Sequence, residues 1–347
     1  MTTTIFRGRR IAAVTAAAAL AFGLTACSAS GDGDSSSADG LGTADIQLSW
    51  LKNQQFAGEY FADADGYFTD AGFDEVTLTA GGSGATSAEA AVTTGKSLVG
   101  ISAPLITAPA IAQGADVKII GTLFQVNPFS VVSPADEPLE TADDLDGATI
   151  AVSDSNTLVW NAFLAANGLD DGQVKTVPLS DTSMLTTGQV DGYLGYSTSG
   201  ADALTASGFD AVEFLLADEG LPMIGESIVA SQEAIDDDQD ALVGIMTAMV
   251  RGWQASLDDP ERTADLVLND YGKDQQYDAA AIELAVKKQA DLIQTDETAE
   301  NGILTVSDDL QQATVDSLAL ADIDIDAADL FDSSILDEVY AQNPDLR

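Results

Sequence analysis

Residues 46–67 read IQLSWLKNQQFAGEYFADADGY, and this stretch decides the fold. The apolar run Ile46–Trp50 predicts a strand, and the pattern from Gly58 to Tyr67 predicts a helix that ends near Gly66. The same alternation of short apolar runs and helical stretches continues along the chain. Strands separated by helices in this way favour an α/β fold with a mainly parallel, doubly wound sheet.

The alternation restarts after Pro128, which indicates a second unit. From Gly225 the character changes, because one further strand, Ser227–Ala230, precedes a mostly helical region from Asp240 to Tyr340. The predicted lobes are residues 45–127 with 225–347 (lobe 1) and residues 128–224 (lobe 2). Two connections would then cross a cleft, and ligand sites in open α/β sheets lie at the carboxyl ends of strands, often between lobes.

The composition is strongly acidic, with 57 Asp and Glu against 13 Lys and Arg. Such a surface repels nucleic acid and suits high ionic strength, where self-repulsion is screened, so we expect no nucleic-acid partner. The sequence contains no histidine, which excludes Ser-His-Asp and Cys-His catalysis and His-ligated metals. The composition therefore disfavours hydrolases and zinc enzymes, and we expect a protein that is not an enzyme and uses no metal or cofactor.

Residues 1–27 have the pattern of an export signal. Arg7, Arg9 and Arg10 form a basic start, an apolar run follows, and Leu24-Thr25-Ala26-Cys27 resembles the bacterial lipobox. That resemblance implies cleavage before Cys27, diacylation of its thiol, and a lipid anchor on the extracytoplasmic face of the cell membrane. The alternative is a soluble secreted protein with an incidental cysteine. Residues 28–44, rich in Ser, Gly, Asp and Ala, are predicted to be a flexible tether.

Several short motifs follow one another along residues 45–270: Leu48-Ser49-Trp50-Leu51-Lys52-Asn53, Phe56-Ala57-Gly58-Glu59-Tyr60, Gly66-Tyr67-Phe68, Gly81-Gly82-Ser83-Gly84-Ala85, Gly100-Ile101-Ser102-Ala103-Pro104, Ser227-Ile228-Val229-Ala230-Ser231 and Arg251-Gly252-Trp253. In this order they resemble the periplasmic-type binding proteins of ABC importers for nitrate, alkylsulfonates and thiamine-pyrimidine precursors. The resemblance implies a two-lobe, periplasmic-binding-protein-like (type II) fold with a hinge and an interlobe cleft. It also implies a small-molecule ligand and an ABC importer permease as partner.

Aromatic residues are the first candidates for ligand contact. Trp50 stands where a strand is predicted to end at the cleft, and its indole face can stack on a planar ring. Further aromatic candidates are Phe56, which stands where pyrimidine-precursor binders often carry His, Tyr60, Trp160, Tyr193 and Tyr196. The alternative for each of them is ordinary core packing.

Polar turns supply a second set of candidates. The loop Gly81–Ala85 is expected to run into a helix N-terminus, where free N–H groups at Ser83, Gly84 and Ala85 can hold a ligand acceptor. The alternative is a tight turn with Ser83 as N-cap. Asn156 and Thr157 are predicted to open a helix of lobe 2 in the same way, or merely to cap it. Further polar candidates are Asn53, Ser102, Asn127, Asp191 and Glu226, the last at the predicted return crossing.

Charge helps to select the ligand class. Binding an oxyanion usually calls for Arg or Lys, and among the motifs that could line the cleft only Lys52 offers a cation. We therefore expect a neutral or cationic, planar heteroaromatic ligand, of the thiamine-pyrimidine-precursor kind, which bridges the lobes of a monomer and closes the hinge. The alternatives are nitrate, a sulfonate or another small organic anion, a carboxylate-based enzyme, and a cell-surface adhesin or sensor domain.

Overall fold

A computed structural model describes residues 40–170 and 172–347, so the predicted signal, Cys27 and the tether up to residue 39 lie outside it. Within the described residues the strands are β1 (Gly42–Gln47), β2 (Phe73–Thr79), β3 (Val99–Ser102), β4 (Val117–Thr122), β5 (Phe129–Pro134), β6 (Thr149–Val152), β7 (Lys175–Pro178), β8 (Gly192–Tyr196), β9 (Ala211–Leu215) and β10 (Ser227–Ser231). The helices are α1 (Ala57–Ala64), α2 (Tyr67–Asp70), α3 (Ala88–Thr93), α4 (Pro104–Ala112), α5 (Thr157–Ala166), α6 (Ser183–Thr186), α7 (Ala201–Ala206), α8 (Gln232–Asp237), α9 (Gln239–Asp258), α10 (Pro260–Asp265), α11 (Ala279–Ile293), α12 (Asp296–Asn301), α13 (Asp308–Ala319), α14 (Ala327–Leu330) and α15 (Ser334–Gln342).

The strands form two five-stranded sheets, in the orders β2-β1-β3-β10-β4 and β7-β6-β8-β5-β9. We refer to the first sheet with the helices packed on it as lobe 1 and to the second as lobe 2. Each sheet is mixed, because β10 runs antiparallel to β3 and β4, and β5 runs antiparallel to β8 and β9. Because four of the five strands in each sheet run in the same direction, the prediction of mainly parallel sheets is confirmed, with one strand in each sheet as the exception. The reason is topological: the chain enters each lobe from the other at the edge where parallel strands end, so the entering strand must run the opposite way.

The first strand differs from its predicted bounds. β1 begins at Gly42, three residues before the predicted start of structure, and it pairs with β2 from Gly42 to Gln47. The Leu48 N–H still bonds to the Thr79 carbonyl (2.8 Å), but the chain then bends away. Trp50 therefore lies beyond the strand rather than at its last position.

Helix α1 packs closely on α9 through two glycines. A Cβ at Gly252 would lie 2.0 Å from the Gly58 carbonyl oxygen, and a Cβ at Gly58 would lie 2.1 Å from Cδ1 of Trp253. Only hydrogen fits at either position, so the two helix backbones lie closer together than side chains would allow. This contact brings the Trp253 indole against the first turn of α1.

Two large apolar clusters hold the molecule together. One lies in lobe 1 and includes Phe56, Tyr60 and Trp253. The other spans both sheets, with Ile119 from the first, Trp160 on α5 of the second, and residues of α13. Residues 40–347 accordingly form one compact unit by contact density. The two sheets are distinct, but α13 and its neighbours bind them together on one side.

Every helix within residues 40–347, position 171 excepted, is too short or too polar to span a lipid bilayer.

Candidate functional site

The ends of the parallel strands define one edge in each sheet, which we call its carboxyl edge. In lobe 1, β3 and β4 end here, and the antiparallel β10 begins here with Ser227 opposite Ser102 and Thr122. In lobe 2, β8 ends at Tyr196, directly opposite Phe129 at the start of β5. The chain passes between these edges twice, through a first crossing (residues 123–128) and a second crossing (residues 216–226).

The two crossings lie side by side. The Glu226 carbonyl accepts from the Leu123 N–H (2.7 Å), and the Gly225 N–H donates to the Phe124 carbonyl (2.9 Å). A Cβ at Gly225 would lie 2.7 Å from Cδ of Pro128, so only glycine allows the two crossing segments to lie this close together. Paired connections of this kind form a hinge, since a few residues absorb any rotation of one lobe against the other.

A carboxyl group lies at this junction. Glu226 is buried, and the Ser49 hydroxyl donates to its Oε1 (3.0 Å), while Oε2 has no hydrogen-bond partner among the described residues. Burial raises the pKa of Glu226 to about 8; the Ser49 bond opposes this rise and the charge of Glu59 adds to it. Ser49 was not among the predicted site residues.

A second buried carboxyl belongs to Glu59 in the first turn of α1. Glu59 is fully buried, and within the part of the chain that the structure describes neither of its oxygens accepts a hydrogen bond. Burial raises the pKa of Glu59 to about 8, and the approach of its own backbone N–H and of the Trp253 indole offsets only part of the rise. The Trp253 N–H itself has no well-formed hydrogen bond to a described residue. The structure therefore buries two carboxyls, those of Glu226 and Glu59, and burial makes each favour the protonated form.

Tyr196 connects lobe 2 to the same place. The pKa of Tyr196 is raised far above its ordinary value, mainly by burial and further by the charge of Glu226. Its ring meets Phe129 edge to face, with 4.6 Å between centroids. Two predicted residues thus lie at the crossings: Tyr196 is paired with Phe129 where the first crossing ends, and Glu226 is the last residue of the second crossing.

Trp50 and the glycine loop are also neighbours. The Gly81 N–H donates to the Trp50 carbonyl (2.9 Å), and a Cβ at Gly81 would lie 2.2 Å from the Leu48 carbonyl oxygen, so only glycine fits. The Trp50 side chain is half exposed. The indole is therefore free to meet a ligand beside this loop.

The loop does not open a helix, and this expectation was wrong. Helix α3 begins at Ala88, and its N-cap is Ser87, whose hydroxyl accepts from the Ala90 N–H (3.2 Å). Ser83 caps nothing, Gly84 has a positive φ, and the Ala85 N–H is used within the turn by the Gly82 carbonyl. Ser83, Gly84 and Ala85 are all exposed. The start of α3 was difficult to predict from the sequence because Ser83 and Ser87 are equally suitable N-cap residues.

Several other predicted residues have partners inside lobe 1. Asn53 caps a short 3₁₀ turn, with its Oδ1 accepting from the Gln55 N–H (2.9 Å). Phe56 is wholly buried, and the Tyr60 ring stacks on Tyr271 at 4.3 Å. The Ser102 hydroxyl donates to the buried Glu89. Each of these four side chains thus has a packing or hydrogen-bond partner inside lobe 1.

The other polar and tyrosine candidates lie at the start of α5, on the first crossing and on β8. Asn156 and Thr157 lie at the start of α5, as predicted, and the Thr157 hydroxyl bonds to the Asp154 carbonyl (3.1 Å). Asn127 on the first crossing holds the Phe129 N–H (3.1 Å) with its Oδ1, while its Nδ2 finds no acceptor in the described chain. Tyr193 is buried on β8, and its pKa is raised to about 12, mainly by burial and further by the charge of Glu213.

The side chains of Trp160 and Asp191, two further candidates, form hydrogen bonds within lobe 2. The Trp160 indole is buried and donates to the Thr176 hydroxyl (2.9 Å), and Asp191 accepts from the Thr149 N–H (2.7 Å). The Lys52 ammonium lies 5.8 Å from the centre of the Tyr271 ring. Lys52, the cation offered by the sequence motifs, thus lies over the face of an aromatic ring.

Residues 53–263, more than half of the chain, match the family described as NMT1/THI5 like. The chain belongs to the NMT1/THI5-like family. This NMT1/THI5-like chain is 25% identical over 271 residues to the riboflavin-binding protein RibY of Chloroflexus aurantiacus. The aligned region covers 74% of the chain and 75% of RibY. The predicted resemblance to importer binding proteins is confirmed at this level.

Solved structures confirm the predicted fold. The periplasmic aliphatic sulphonate binding protein SsuA of Escherichia coli superposes with a TM-score of 0.63 at 14% identity, over 80% of this NMT1/THI5-like chain and 86% of SsuA. The periplasmic nitrate-binding protein NrtA of Synechocystis PCC 6803 gives 0.62 at 11% identity, over 88% and 90%. The two-sheet architecture is therefore a periplasmic-binding-protein fold.

Proposed function

We propose that the protein is an extracytoplasmic solute-binding protein that captures a small planar nitrogen heterocycle and delivers it to an ABC importer. The observation that carries the proposal is the hydrogen-bonded pair of crossings between the two carboxyl edges, with the buried Glu226 on the second crossing and Tyr196 at the end of β8, opposite Phe129. Family membership supports the same role. Ligand would bridge the lobes and favour the closed form, which the permease then recognises.

The ligand class is inferred from the groups at the junction. The half-exposed Trp50 indole offers a stacking face, and Glu226 offers a carboxyl oxygen with no partner among described residues. Lys52 is held at the Tyr271 ring, and Lys288 pairs with Glu213. A nitrate or sulfonate would therefore meet buried carboxyls without a free cation beside them, which is unfavourable.

A thiamine-pyrimidine precursor is our first candidate, since an aminopyrimidine combines a flat ring with N–H donors. Riboflavin is the second candidate, because it is also planar and the similar protein RibY is named for binding it. The two differ greatly in size and in the groups they present. Direct binding measurements therefore separate them.

The test uses the purified chain without its first 27 residues. Native mass spectrometry identifies any small molecule that copurifies, and calorimetry then compares 4-amino-5-hydroxymethyl-2-methylpyrimidine, riboflavin, nitrate and taurine. We expect micromolar or tighter binding of one heterocycle and none of the two anions. Selective binding of nitrate or taurine would refute the ligand class, and chemical turnover of a bound heterocycle would favour the carboxylate-based enzyme.

We further propose that the protein is monomeric and is held at the outer face of the cell membrane through lipid on Cys27. The proposal is supported by the position of Cys27 directly after the apolar run. The change Cys27→Ser should release the protein from the membrane fraction, or leave it unprocessed, with ligand binding unchanged. A C27S protein that stays membrane-bound after correct processing would contradict the anchor.

A further inference from the structure

Helix α11 belongs to lobe 1 but also contacts lobe 2. Its apolar side packs into the core of lobe 1 through Ile282 and Leu292. The Leu292 carbonyl accepts from the Gln125 N–H of the first crossing (2.8 Å). The helix also packs against residues 54–56, which follow β1, and against residues 197–199 and α7, which follow β8. Because β1 and β8 both end at carboxyl edges, α11 spans the distance between the two edges.

An ion pair lies in this contact between the lobes. The Lys288 ammonium is 3.3 Å from Glu213 Oε1, and that oxygen accepts no hydrogen bond from a described residue. Glu213 Oε2 accepts from the Ser130 hydroxyl (2.9 Å) and from the Ala201 N–H (3.3 Å). A Cβ at Gly200 would lie 2.1 Å from Oε2, so a side chain at this position would push the carboxylate away. Lobe 2 thus encloses an acid whose cation comes from lobe 1.

Cations are scarce in this chain, which has 57 acidic and 13 basic residues, so most of its carboxylates have water as their partner. Within residues 40–347, position 171 aside, side-chain ion pairs form at two places, and the other pair, Arg262 with Asp65, lies inside lobe 1. An enclosed carboxylate that loses its cation keeps the cost of its desolvation. Because Lys288 moves with lobe 1 and Glu213 with lobe 2, rotation of the lobes about the crossings would cause that loss.

We propose that the ion pair of Lys288 and Glu213 is a latch, which holds the two lobes together in the arrangement that binds ligand and slows the release of that ligand. The lobes cannot separate at α11 without separating the two charges. A protein that spends a larger fraction of time in the binding arrangement binds its ligand more tightly. The effect on ligand release rests on the proposed function, whereas the effect on the position of the lobes does not.

The first measurement needs no ligand and is made well below the melting temperature. The chain without its first 27 residues has no cysteine, so Thr94→Cys in lobe 1 and Thr186→Cys in lobe 2, both at exposed positions, accept two spin labels. Double electron–electron resonance then gives the distribution of distances between the lobes. Lys288→Met should add a second population of distances. Lys287→Met, at the exposed neighbouring position, should keep the wild-type distribution.

The second measurement is the rate of ligand release. Stopped-flow fluorescence of Trp50 follows the release of riboflavin or of 4-amino-5-hydroxymethyl-2-methylpyrimidine, whichever the wild-type protein binds. Lys288→Met and Glu213→Gln should each raise this rate by about tenfold, because ligand leaves from the separated form, which becomes more populated without the ion pair. Glu213→Gln keeps an acceptor for the Ser130 hydroxyl and so protects the fold. Lys288→Arg keeps a cation and should keep the wild-type rate and distances.

The outcomes separate the latch from the proposed function. If Lys288→Met and Glu213→Gln keep the wild-type distances, the latch is overturned and the proposed function stands. If Lys288→Arg shifts the distances as much as Lys288→Met does, the latch is also overturned, because a cation at this position would then not hold the lobes. If the wild-type protein binds no heterocycle but Lys288→Met shifts the distances, the latch stands and the proposed ligand class fails.

Discussion

The Lys288 ammonium of α11 lies 3.3 Å from Glu213 Oε1 of β9, and this ion pair is a contact between lobe 1 and lobe 2 in addition to the two crossings. The Glu213 side chain is only 8% exposed, and its other oxygen accepts from the Ser130 hydroxyl (2.9 Å) and the Ala201 N–H (3.3 Å). A carboxylate so enclosed depends on its cation. The ion pair therefore stabilises the packing of α11 against the second sheet.

Removing this cation should weaken the contact between the lobes. Lys288→Met leaves Glu213 buried without its partner, at a cost of about 1–3 kcal/mol in the free energy of unfolding. Urea denaturation measures the loss. Lys287→Met, at the exposed neighbouring position, is the control and should cost much less. Equal midpoints for the two variants would show that the ion pair contributes nothing.

The unliganded protein should lose stability as the pH rises from about 4.5 to about 8. Glu59 and Glu226 have pKa values raised from 4.5 to about 8 in the folded protein, so folding favours their protonated forms. This contribution is complete below pH 4.5 and is lost as the pH rises through 8, at up to about 1.4 kcal/mol per pH unit for each group.

Matched variants separate this effect from the general acidity of the chain. Glu59→Leu should flatten the decline in melting temperature between pH 5 and pH 8, while Glu283→Leu should keep the wild-type slope. Differential scanning calorimetry across that range makes the comparison. Parallel curves for the wild-type and Glu59→Leu proteins would contradict the buried, protonated state of Glu59.

The glycine contact between α1 and α9 should be intolerant of any side chain. Gly252→Ala places a methyl 2.0 Å from the Gly58 carbonyl oxygen, so one helix must move, at about 3 kcal/mol or more. Gly114→Ala is a useful control, because it has open space but a φ of +96° and should cost only about 1–2 kcal/mol. Thermal unfolding checks both. A Gly252→Ala protein as stable as Gly114→Ala would show that the helices separate easily.

Trp50 should report ligand binding without contributing much stability. It is 50% exposed, whereas Trp160 and Trp253 are 1% and 0% exposed, so a stacked ligand should quench mainly its fluorescence. Trp50→Ala should weaken heterocycle binding by roughly tenfold and barely change the melting temperature. Leu51→Ala, at the adjacent and also exposed position, serves as control. Full quenching in Trp50→Ala would place the ligand elsewhere.

Much of the fold was predictable because it depends on local periodicity. The strand and helix order, the turn at Gly66 and the helical C-terminal region follow from apolar spacing and glycine positions, which act over a few residues. The start of α3 was missed because Ser83 and Ser87 compete as caps. Which strand of each sheet runs antiparallel was not predicted, because this depends on where the chain enters the sheet, and no local pattern records that.

The site was less predictable than the fold. Tyr196 and Glu226 were recognised as candidates, but Ser49, which donates to Glu226, was not, and the burial of Glu59 on α1 was not predicted either. A glutamate in the first turn of a helix is usually explained by the helix dipole, so its burial could not be read from the sequence.

The sequence by itself determined the family, the α/β class and an acidic chain without histidine, since these follow from composition and from motifs in order. The long-range contacts follow from the tertiary structure alone: the Ser49 hydroxyl reaches the buried Glu226, and Lys288 reaches Glu213, across long stretches of sequence. Burial, which no single residue possesses, is what raises the proton affinity of Glu59 and Glu226.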